Sequence, residues 1–179
     1  MSIAPIIVTA LFGAEDFHWL DEQRRAYFPP ERNVLRAHLT MFHHLPPSCE
    51  AELLGRLRSE TLAEPPRARI DSIFSLGQGV AYRVDSLALE YVRASLADAF
   101  TGMLTPQDQS PWRPHVTIQN KVKPAVAKAL MTQLLIGFRE RPLSITGLAA
   151  WYYRGGPWEP IAAYRFGGGR PMAPPKSLA

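Results

Sequence analysis

The chain has 179 residues, a length that corresponds to a single domain of ordinary size. Hydrophobic residues make up 46% of the sequence and charged residues 20%, proportions that exclude a disordered chain and a coiled coil. The formal net charge of +4 is a mild bias toward anionic partners and is too small to indicate a protein that coats nucleic-acid duplexes.

The first half of the chain alternates between strand and helix patterns. Residues 3–12 form an apolar run that predicts a strand; no basic region precedes it and no small-residue cleavage site follows it, so a signal peptide is not indicated. Residues 15–28 predict a helix with acidic residues at its start and arginines near its end, the order that the helix dipole favours. A strand over residues 35–42, a helix over 49–62 and a strand over 67–76 complete this half.

The second half repeats this order of elements. After a glycine turn, the pattern predicts a strand over residues 80–84, a helix over 86–100, a polar loop over 101–113, a strand over 114–122 and a helix over 124–138. Two further strands, over 143–153 and 160–166, precede a Gly/Pro-rich segment, 168–179, that we expect to be a mobile tail. No segment has the about 18 consecutive apolar residues of a transmembrane helix, so we expect no membrane partner.

Shifting the first half by 77 residues superimposes strands on strands and helices on helices. The period is too long for a solenoid, whose repeats have about 20–50 residues. We therefore predict one bilobal domain over residues 1–167, with halves near residues 1–77 and 78–167 that are related by a pseudo-two-fold axis. Each half is a β-α-β-α-β unit.

The same shift superimposes two short polar motifs. His38 falls on His115, and Thr40 falls on Thr117. Both motifs lie on predicted strands, where residues i and i+2 share one face, so the imidazole and hydroxyl of each motif point the same way, about 6–7 Å apart. The intervening residues point into the core; they are Leu39, Met41, Val116 and Ile118.

Two facing lobes would bring two imidazoles and two hydroxyls together around a cleft. With an ordinary pKa near 6.5, one imidazole can act as general base and the other as general acid at neutral pH. The threonine hydroxyls can donate hydrogen bonds to the non-bridging oxygens of a phosphate. Such a site can attack a phosphodiester without a metal.

The paired His-x-Thr motifs resemble the 2H phosphoesterase superfamily, which includes proteins named 2′-5′ RNA ligases and cyclic phosphodiesterases. The longer segments that carry the resemblance are residues 38–46, HLTMFHHLP, and residues 112–122, WRPHVTIQNKV. The order of strands and helices over residues 3–166 also resembles that of the superfamily. It implies an α+β fold of two lobes, in which two antiparallel sheets line a central cleft and the helices lie outside.

The resemblance also implies a function. It implies metal-free attack on 2′,3′-cyclic phosphates or related cyclic phosphodiesters. Both histidines would be catalytic and both threonines would bind phosphate, roles that fall on His38, His115, Thr40 and Thr117 in this sequence.

Further residues near the motifs are candidates for substrate contacts. By strand alternation, the motif faces also carry Arg36, Phe42, Gln119 and Lys121, and the second motif strand begins near Arg113. The cationic residues would neutralise phosphate; the alternative is a solvated charge at a strand end. Phe42 would stack on a base, and the alternative is a place in the core.

An aromatic cluster near the last hairpin provides another candidate. Its members, Trp151, Tyr152, Tyr153 and Trp158, can stack on nucleobases or fill a core. By alternation, one of the two tyrosines faces the cleft, and Tyr153 is retained as the candidate.

The sequence indicates neither a metal nor a cofactor. His43 falls on the face opposite His38, and His44 lies about 20 Å from it along an extended strand, whereas zinc needs ligands about 2 Å from one ion. The glycine-rich segments 77–79 and 167–169 lack the strand–loop–helix setting of a phosphate loop, so we expect no ATP site. The single cysteine, Cys49, cannot form an internal disulfide, which favours a reducing cytoplasm, and we expect a monomer.

The sequence therefore predicts an enzyme that hydrolyses a cyclic phosphodiester, a 2′,3′-cyclic phosphate on RNA or a nucleotide. One histidine would remove a proton from water and the other would protonate the departing ribose oxygen, while the threonines stabilise the phosphate. The sequence does not assign the two histidine roles. Two alternatives stay open: reversible 2′-5′ RNA ligation, and a non-catalytic module that binds RNA ends or nucleotides.

Overall fold

Eight strands and five helices form the fold of residues 4–176, the part of the chain that the structure, a computed structural model, describes. The strands are β1 (Ile6–Phe12), β2 (Leu39–Leu45), β3 (Arg67–Ser75), β4 (Val80–Asp85), β5 (His115–Gln119), β6 (Arg141–Tyr152), β7 (Glu159–Arg165) and β8 (Arg170–Met172). The helices are α1 (Ala14–Tyr27), α2 (Glu50–Glu60), α3 (Leu87–Ala99), α4 (Pro106–Gln109) and α5 (Pro124–Gly137). Most bounds lie within a few residues of those predicted.

The strands are joined into antiparallel sheets by the long strand β6. Along the sheet the order is β2-β1-β6-β3-β4-β5, and β7 pairs with β6 and with β8. The first residues of β6, Arg141–Ser144, pair with β3, and its later residues pair with β1 and β7. The predicted α+β class with antiparallel sheets is confirmed.

The third strand of each half lies in the sheet of the other half. Strand β3, from the half near residues 1–77, pairs with β4 and β6, whereas β6, from the half near residues 78–167, continues alongside β1. The two halves are therefore interleaved in the sheets. This arrangement is possible because β6 has 12 residues and reaches both groups of strands.

The main core lies between the helices and one face of the sheets. Its largest fully buried side chains include Leu20, Leu39, Phe42, Leu53, Leu57, Ile70, Leu89 and Phe100. Each such side chain contributes about 1.5–3 kcal/mol through burial. In β1, Ile6 and Val8 point into this core, while Ile7 points to the opposite face of the sheet, as strand alternation requires.

Strands β2, β1, β6, β7 and β8 form one sheet, and its face opposite the main core carries a smaller apolar cluster. Its members are Ile7, Leu11, Ala149, Trp151, Trp158 and Ala163. The indole Nε1 of Trp151 donates a hydrogen bond of 2.9 Å to the hydroxyl of Thr9. Trp158, in the loop between β6 and β7, packs into this cluster, and its ring also contacts that of His38.

Part of the segment predicted as a tail forms a strand. Three glycines with positive φ, Gly167–Gly169, reverse the chain after β7, so that β8 pairs with β7. The turn is bound to the end of α2, because Gly169 donates a backbone hydrogen bond of 3.0 Å to Thr61. Residues 177–179 lie outside the described residues. Within the described part, no helix has the length and hydropathy to cross a membrane.

Candidate active site

The two strands at opposite ends of the sheet order, β2 and β5, lie against each other in space. From α1, Arg24 donates one hydrogen bond to the carbonyl of Leu35, just before β2, and another to the carbonyl of Thr117 in β5, at 2.8 and 3.0 Å. From the segment before β5, the indole of Trp112 donates a 3.0 Å hydrogen bond to the carbonyl of Thr40 in β2. The sheets therefore curve until their outer edges meet, and the two His-x-Thr motifs are brought together.

The two imidazoles are held in the same way. His38 directly precedes β2, and its Nδ1 lies 2.7 Å from the carbonyl oxygen of Arg36. His115 is the first residue of β5, and its Nδ1 lies 2.6 Å from the carbonyl oxygen of Arg113. Because a carbonyl oxygen only accepts, Nδ1 carries the proton in both rings. The neutral form of each ring thus presents Nε2 as an unprotonated base.

The surroundings of the two rings differ. The ring of His38 is half-buried, with its centroid 4.8 Å from that of Trp158. Burial, reinforced by the positive charge of Arg24, lowers the pKa of His38 to about 4. The ring of His115 contacts Phe74 edge-on, with centroids 5.6 Å apart. At neutral pH His38 is therefore uncharged and able to accept a proton.

Both motif threonines are half-buried, and their backbone carbonyls and side-chain hydroxyls make different contacts. The carbonyl oxygens of Thr40 and Thr117 accept the hydrogen bonds that tie the two edges together. Neither hydroxyl forms a hydrogen bond to another residue between positions 4 and 176. These hydroxyls are thus available to donate to a bound anion.

Thr40 and His115 line one small recess, which we call the motif recess. Its other walls include His43, Trp112 and Arg113, and its volume is about 170 Å³. At about 30 Å³ per water, this space holds about six waters, which suits a compact group such as a phosphate. One motif's hydroxyl and the other motif's imidazole therefore share a space of the size that the predicted chemistry needs.

Two predicted substrate contacts are corrected by the structure. Phe42 is fully buried in the core with the Arg93 guanidinium 3.8 Å from its ring, and Gln119 is buried with 4% of its surface exposed. The reason is a β-bulge after each motif threonine: Thr40 and Phe42 oppose the adjacent residues Thr9 and Val8 of β1. An extra residue in one strand reverses the alternation on which the prediction depended.

The second motif contains the same irregularity. Thr117 and Gln119 oppose the adjacent residues Ala81 and Val80 of β4. Ile118 and Gln119 are consequently both buried, just as Met41 and Phe42 are in the first motif. The bulge, like the imidazole hydrogen bond, recurs after 77 residues.

The four remaining candidates divide into two pairs. Arg36 and Arg113 lie beside the histidines: Arg36 lines a cavity next to His38, although it is ion-paired with Asp21 at 2.9 Å, and Arg113 lines the motif recess. Lys121 lies beyond β5 at a positive φ of 62°, and Tyr153 lies beyond β6. Lys121 and Tyr153 line neither the cavity beside His38 nor the motif recess. Strands β5 and β6 end before these residues, so strand alternation does not place their side chains.

Sequence reasoning did not identify Asp108, which holds the end of β2. Its buried carboxylate accepts hydrogen bonds from the backbone N–H groups of His43 and His44, both at 2.9 Å, and lies 3.2 Å from Nδ1 of His43. Burial alone would raise the pKa of Asp108, but these hydrogen bonds outweigh it and lower the pKa. A lone Asp in a polar loop gives no sequence signal of this contact.

Buried arginines are the other contacts that the sequence did not reveal. Arg24 is 4% exposed and Arg93 is 7% exposed, and each reaches a strand of the opposite motif. Arg93, from α3, donates to the carbonyl of Met41 at 2.7 Å and to that of Asp108 at 2.5 Å. Among residues 4–176, no group of three or more His, Cys, Asp or Glu side chains is arranged to hold a metal ion.

Comparisons with known proteins find a matching family and structures of similar fold. A sequence profile of the 2′-5′ RNA ligase superfamily matches residues 13–157. TT0787 of Thermus thermophilus has a similar structure, with a TM-score of 0.61, 17% identity, and a match covering 92% of this chain and 98% of that one. E. coli LigT, solved in complex with 3′-AMP, is also similar, with a TM-score of 0.58 and 18% identity. The match covers 91% of this chain and 98% of that one.

A structure described as a phosphoesterase is also similar, with a TM-score of 0.59 and 17% identity, over 91% of this chain and 98% of that one. At these identities the structural likeness shows a common fold. No curated protein sequence matches the chain significantly.

Proposed function

The chain belongs to the 2′-5′ RNA ligase superfamily, and from this premise we propose that it is a metal-independent phosphoesterase that opens 2′,3′-cyclic phosphates on RNA ends or nucleotides. The observation that carries the proposal is the matched pair of imidazoles. His38 and His115 each donate Nδ1–H to the carbonyl two residues earlier, and neither Nε2 has a hydrogen-bond partner in the described part of the chain. A hydrogen-bonded imidazole beside a free hydroxyl, present twice, provides the acid, the base and the anion donors of phosphodiester hydrolysis.

We assign the role of general base to His38 and that of general acid to His115. The lowered pKa of His38 keeps its Nε2 unprotonated at neutral pH, and a bound anionic phosphate strengthens it as a base. Nε2 of His38 accepts a proton from water while the water oxygen bonds to phosphorus. The bond from phosphorus to one ribose oxygen breaks, and that oxygen receives the Nε2 proton of His115.

The hydroxyls of Thr40 and Thr117 would donate hydrogen bonds to the non-bridging oxygens, where negative charge grows in the transition state. The product is a ribose phosphomonoester, and the site is reset when His38 releases its proton to solvent and His115 regains one from solvent. The ligation that the superfamily name describes is the same ring opening, with a ribose hydroxyl attacking phosphorus in place of water. The same four groups serve that reaction, and the supply of water or hydroxyl decides which one occurs.

Turnover of defined substrates tests this proposal. The protein is incubated with a 2′,3′-cyclic mononucleotide and with a short RNA bearing the same end, in excess EDTA, and products are followed by phosphorus NMR. We expect hydrolysis by the wild type and a loss of about 10²–10⁴-fold in His38→Gln and His115→Gln. His18→Gln is the matched control, because His18 is exposed on α1 and pairs with Glu22.

Two results would contradict the proposal. Full activity in either His38→Gln or His115→Gln would exclude two-histidine catalysis. Binding of both substrates without turnover would instead favour the non-catalytic binding module. Ligation is measured in the same samples by adding an RNA with a free 5′-hydroxyl and resolving the products on a gel.

A further inference from the structure

A second, larger cavity, which we call the His38 cavity, opens beside the first motif. Its volume is about 620 Å³, within the about 300–1,000 Å³ of small-molecule sites. Its apolar walls include Leu11, Phe17 and Met172, and His38 forms part of its boundary. The cavity thus begins at a proposed catalytic group and is large enough for a nucleoside with a phosphate, whereas the motif recess suits one compact group.

Gly147, on strand β6, lies between two residues that line the His38 cavity. Leu11 of β1 pairs with Gly147 of β6, and Gly147 pairs with Arg165 of β7. Paired residues share a face, so Leu11 and Arg165 flank a position without a side chain, about 9–10 Å apart. A Cβ at position 147 would lie 2.4 Å from the carbonyl oxygen of Tyr164, so a larger residue does not fit there.

Every charged side chain that lines the His38 cavity within residues 4–176 is positive. These side chains belong to Arg36, Arg165 and Lys176, and no Asp or Glu is among the lining residues. Arg36 is neutralised by the buried carboxylate of Asp21, at 2.9 Å. Neither Arg165 nor Lys176 forms an ion pair or a side-chain hydrogen bond within the described residues 4–176. Two uncompensated cations from separate segments therefore border one cavity.

We propose that the His38 cavity binds a second phosphate of the substrate together with its nucleoside, so that the preferred substrate carries a 5′-phosphate or a 5′-flanking phosphodiester besides the cyclic phosphate. This inference rests on the proposed function, since it assumes that the cyclic phosphate lies between the two motifs. Arg165 and Lys176 supply charge-assisted hydrogen bonds to the second phosphate. The apolar walls formed by Leu11 and Phe17 accept the ribose and base.

Matched substrates test the inference. We compare kcat/KM for adenosine 2′,3′-cyclic phosphate with a free 5′-hydroxyl, the same compound with a 5′-phosphate, and a dinucleotide that ends in the cyclic phosphate. In the wild type, the 5′-phosphate or the phosphodiester should raise kcat/KM at least about ten-fold, the effect of one charge-assisted hydrogen bond. The double variant Arg165→Gln, Lys176→Gln should reduce this ratio to near one.

The control is Arg170→Gln. Arg170 is exposed and pairs with Arg165 across β7 and β8, but it does not line the His38 cavity. It should leave the ratio between substrates as in the wild type. If Arg170→Gln lowers the ratio as much as the double variant does, the effect is one of general surface charge and the inference is wrong.

Failure of the inference and failure of the proposed function give different results. Equal kcat/KM for the three substrates in the wild type would overturn the inference and leave the phosphoesterase proposal intact. Absence of all turnover would contradict the phosphoesterase proposal. The cavity would then be tested by calorimetry with adenosine 3′-phosphate and adenosine 3′,5′-bisphosphate, and equal affinity for the two would overturn the inference.

Discussion

The guanidinium of Arg24 donates a 3.0 Å hydrogen bond to the carbonyl oxygen of Thr117, 93 residues further along the chain. Its Nε lies 2.8 Å from both the side-chain oxygen of Asn33 and the carbonyl oxygen of Leu35. One side chain of α1 therefore fixes the spacing between β5 and the segment that leads into the His38 motif. Burial lowers the pKa of Arg24 to about 10, so the group remains charged at neutral pH.

Replacing Arg24 should loosen the contact between the two motifs. In Arg24→Gln three partly buried acceptors lose a charged donor, and we expect the free energy of unfolding to fall by about 3 kcal/mol. Removing the positive charge should also raise the pKa of His38, because the charge of Arg24 is one of the causes that lower this pKa. Urea unfolding measures the first effect, and NMR titration of the imidazole measures the second.

Arg25→Gln is the control for this substitution. Arg25, the next residue on α1, pairs with Asp21 at 2.9 Å, but 62% of its side chain is exposed. Its loss should change the free energy of unfolding by no more than about 1 kcal/mol. Equal losses in the two variants would show that the links from Arg24 to Leu35 and Thr117 do not stabilise the fold.

The pH dependence of stability should contain a contribution from His38. Its pKa is about 4 in the folded protein and about 6.5 when unfolded, so between these values the unfolded chain binds more protons. The stability that neutral His38 contributes is complete above about pH 6.5 and is lost as pH falls through about 4. Urea unfolding at pH 7 and pH 5 should show a smaller loss in His38→Gln than in the wild type.

The pKa of His38 should also determine how the hydrolysis rate depends on pH. For the free enzyme, kcat/KM should decline on the acidic side near pH 4, not near the ordinary histidine value of 6.5, because the general base must be unprotonated. Initial rates between pH 3.5 and 9 measure this limb. An acidic limb centred near 6.5 would mean that His38 is not the base, and His115 would then take that role.

The order of elements was predictable because each element carries its own periodicity. The apolar run of β1, and the spacing of Leu89 and Leu96 in α3, were enough to place these elements. The 77-residue shift then identified His38 and His115 as equivalent positions. These inferences need only local patterns, which is why they agree with the structure to within a few residues.

The parts that were not predictable depend on contacts between distant segments. The bulges at Met41 and Ile118 are set by pairing with β1 and β4, so single-strand alternation placed Phe42 and Gln119 on the wrong face. The exchange of β3 and β6 between the two groups of strands likewise depends on sheet pairing. The low pKa of His38 depends on burial in the fold, where its ring contacts Trp158, 120 residues away in sequence.

Trp158 should control the protonation of His38. The indole is 7% exposed and its ring lies 4.8 Å from the imidazole, so it keeps water from that side of His38. Trp158→Ala should admit water, raise the pKa of His38 toward 6.5 and reduce the free energy of unfolding by about 3–5 kcal/mol. Trp158→Phe keeps an aromatic ring in place and should preserve most of the pKa shift.

NMR titration of His38 distinguishes this prediction from a simple loss of packing. A Trp158→Ala protein that is folded at about 10 °C but retains a His38 pKa near 4 would show that the indole does not cause the desolvation. In that case burial by the other neighbours of His38 and the charge of Arg24 would have to account for the low value.

Asp108 should act as a positioning residue for the motif recess. Its carboxylate binds the N–H groups of His43 and His44, and the same short helix α4 precedes the segment that carries Trp112. In Asp108→Asn one carboxylate oxygen becomes an NH₂ group that faces backbone donors, so we expect a loss of about 1–3 kcal/mol in unfolding free energy. Loss of the Asp108 contacts should also displace Trp112, and with it the Thr40 carbonyl to which Trp112 donates.

A positioning role predicts a specific kinetic result for Asp108→Asn. Thr40 would remain present but displaced, so kcat for the cyclic phosphate should fall, while the acidic limb set by His38 should stay near pH 4. Asp98→Asn makes the same change at an exposed site on α3 and should alter neither stability nor kcat. If Asp108→Asn loses stability but keeps the wild-type kcat, the carboxylate stabilises the fold without positioning Thr40.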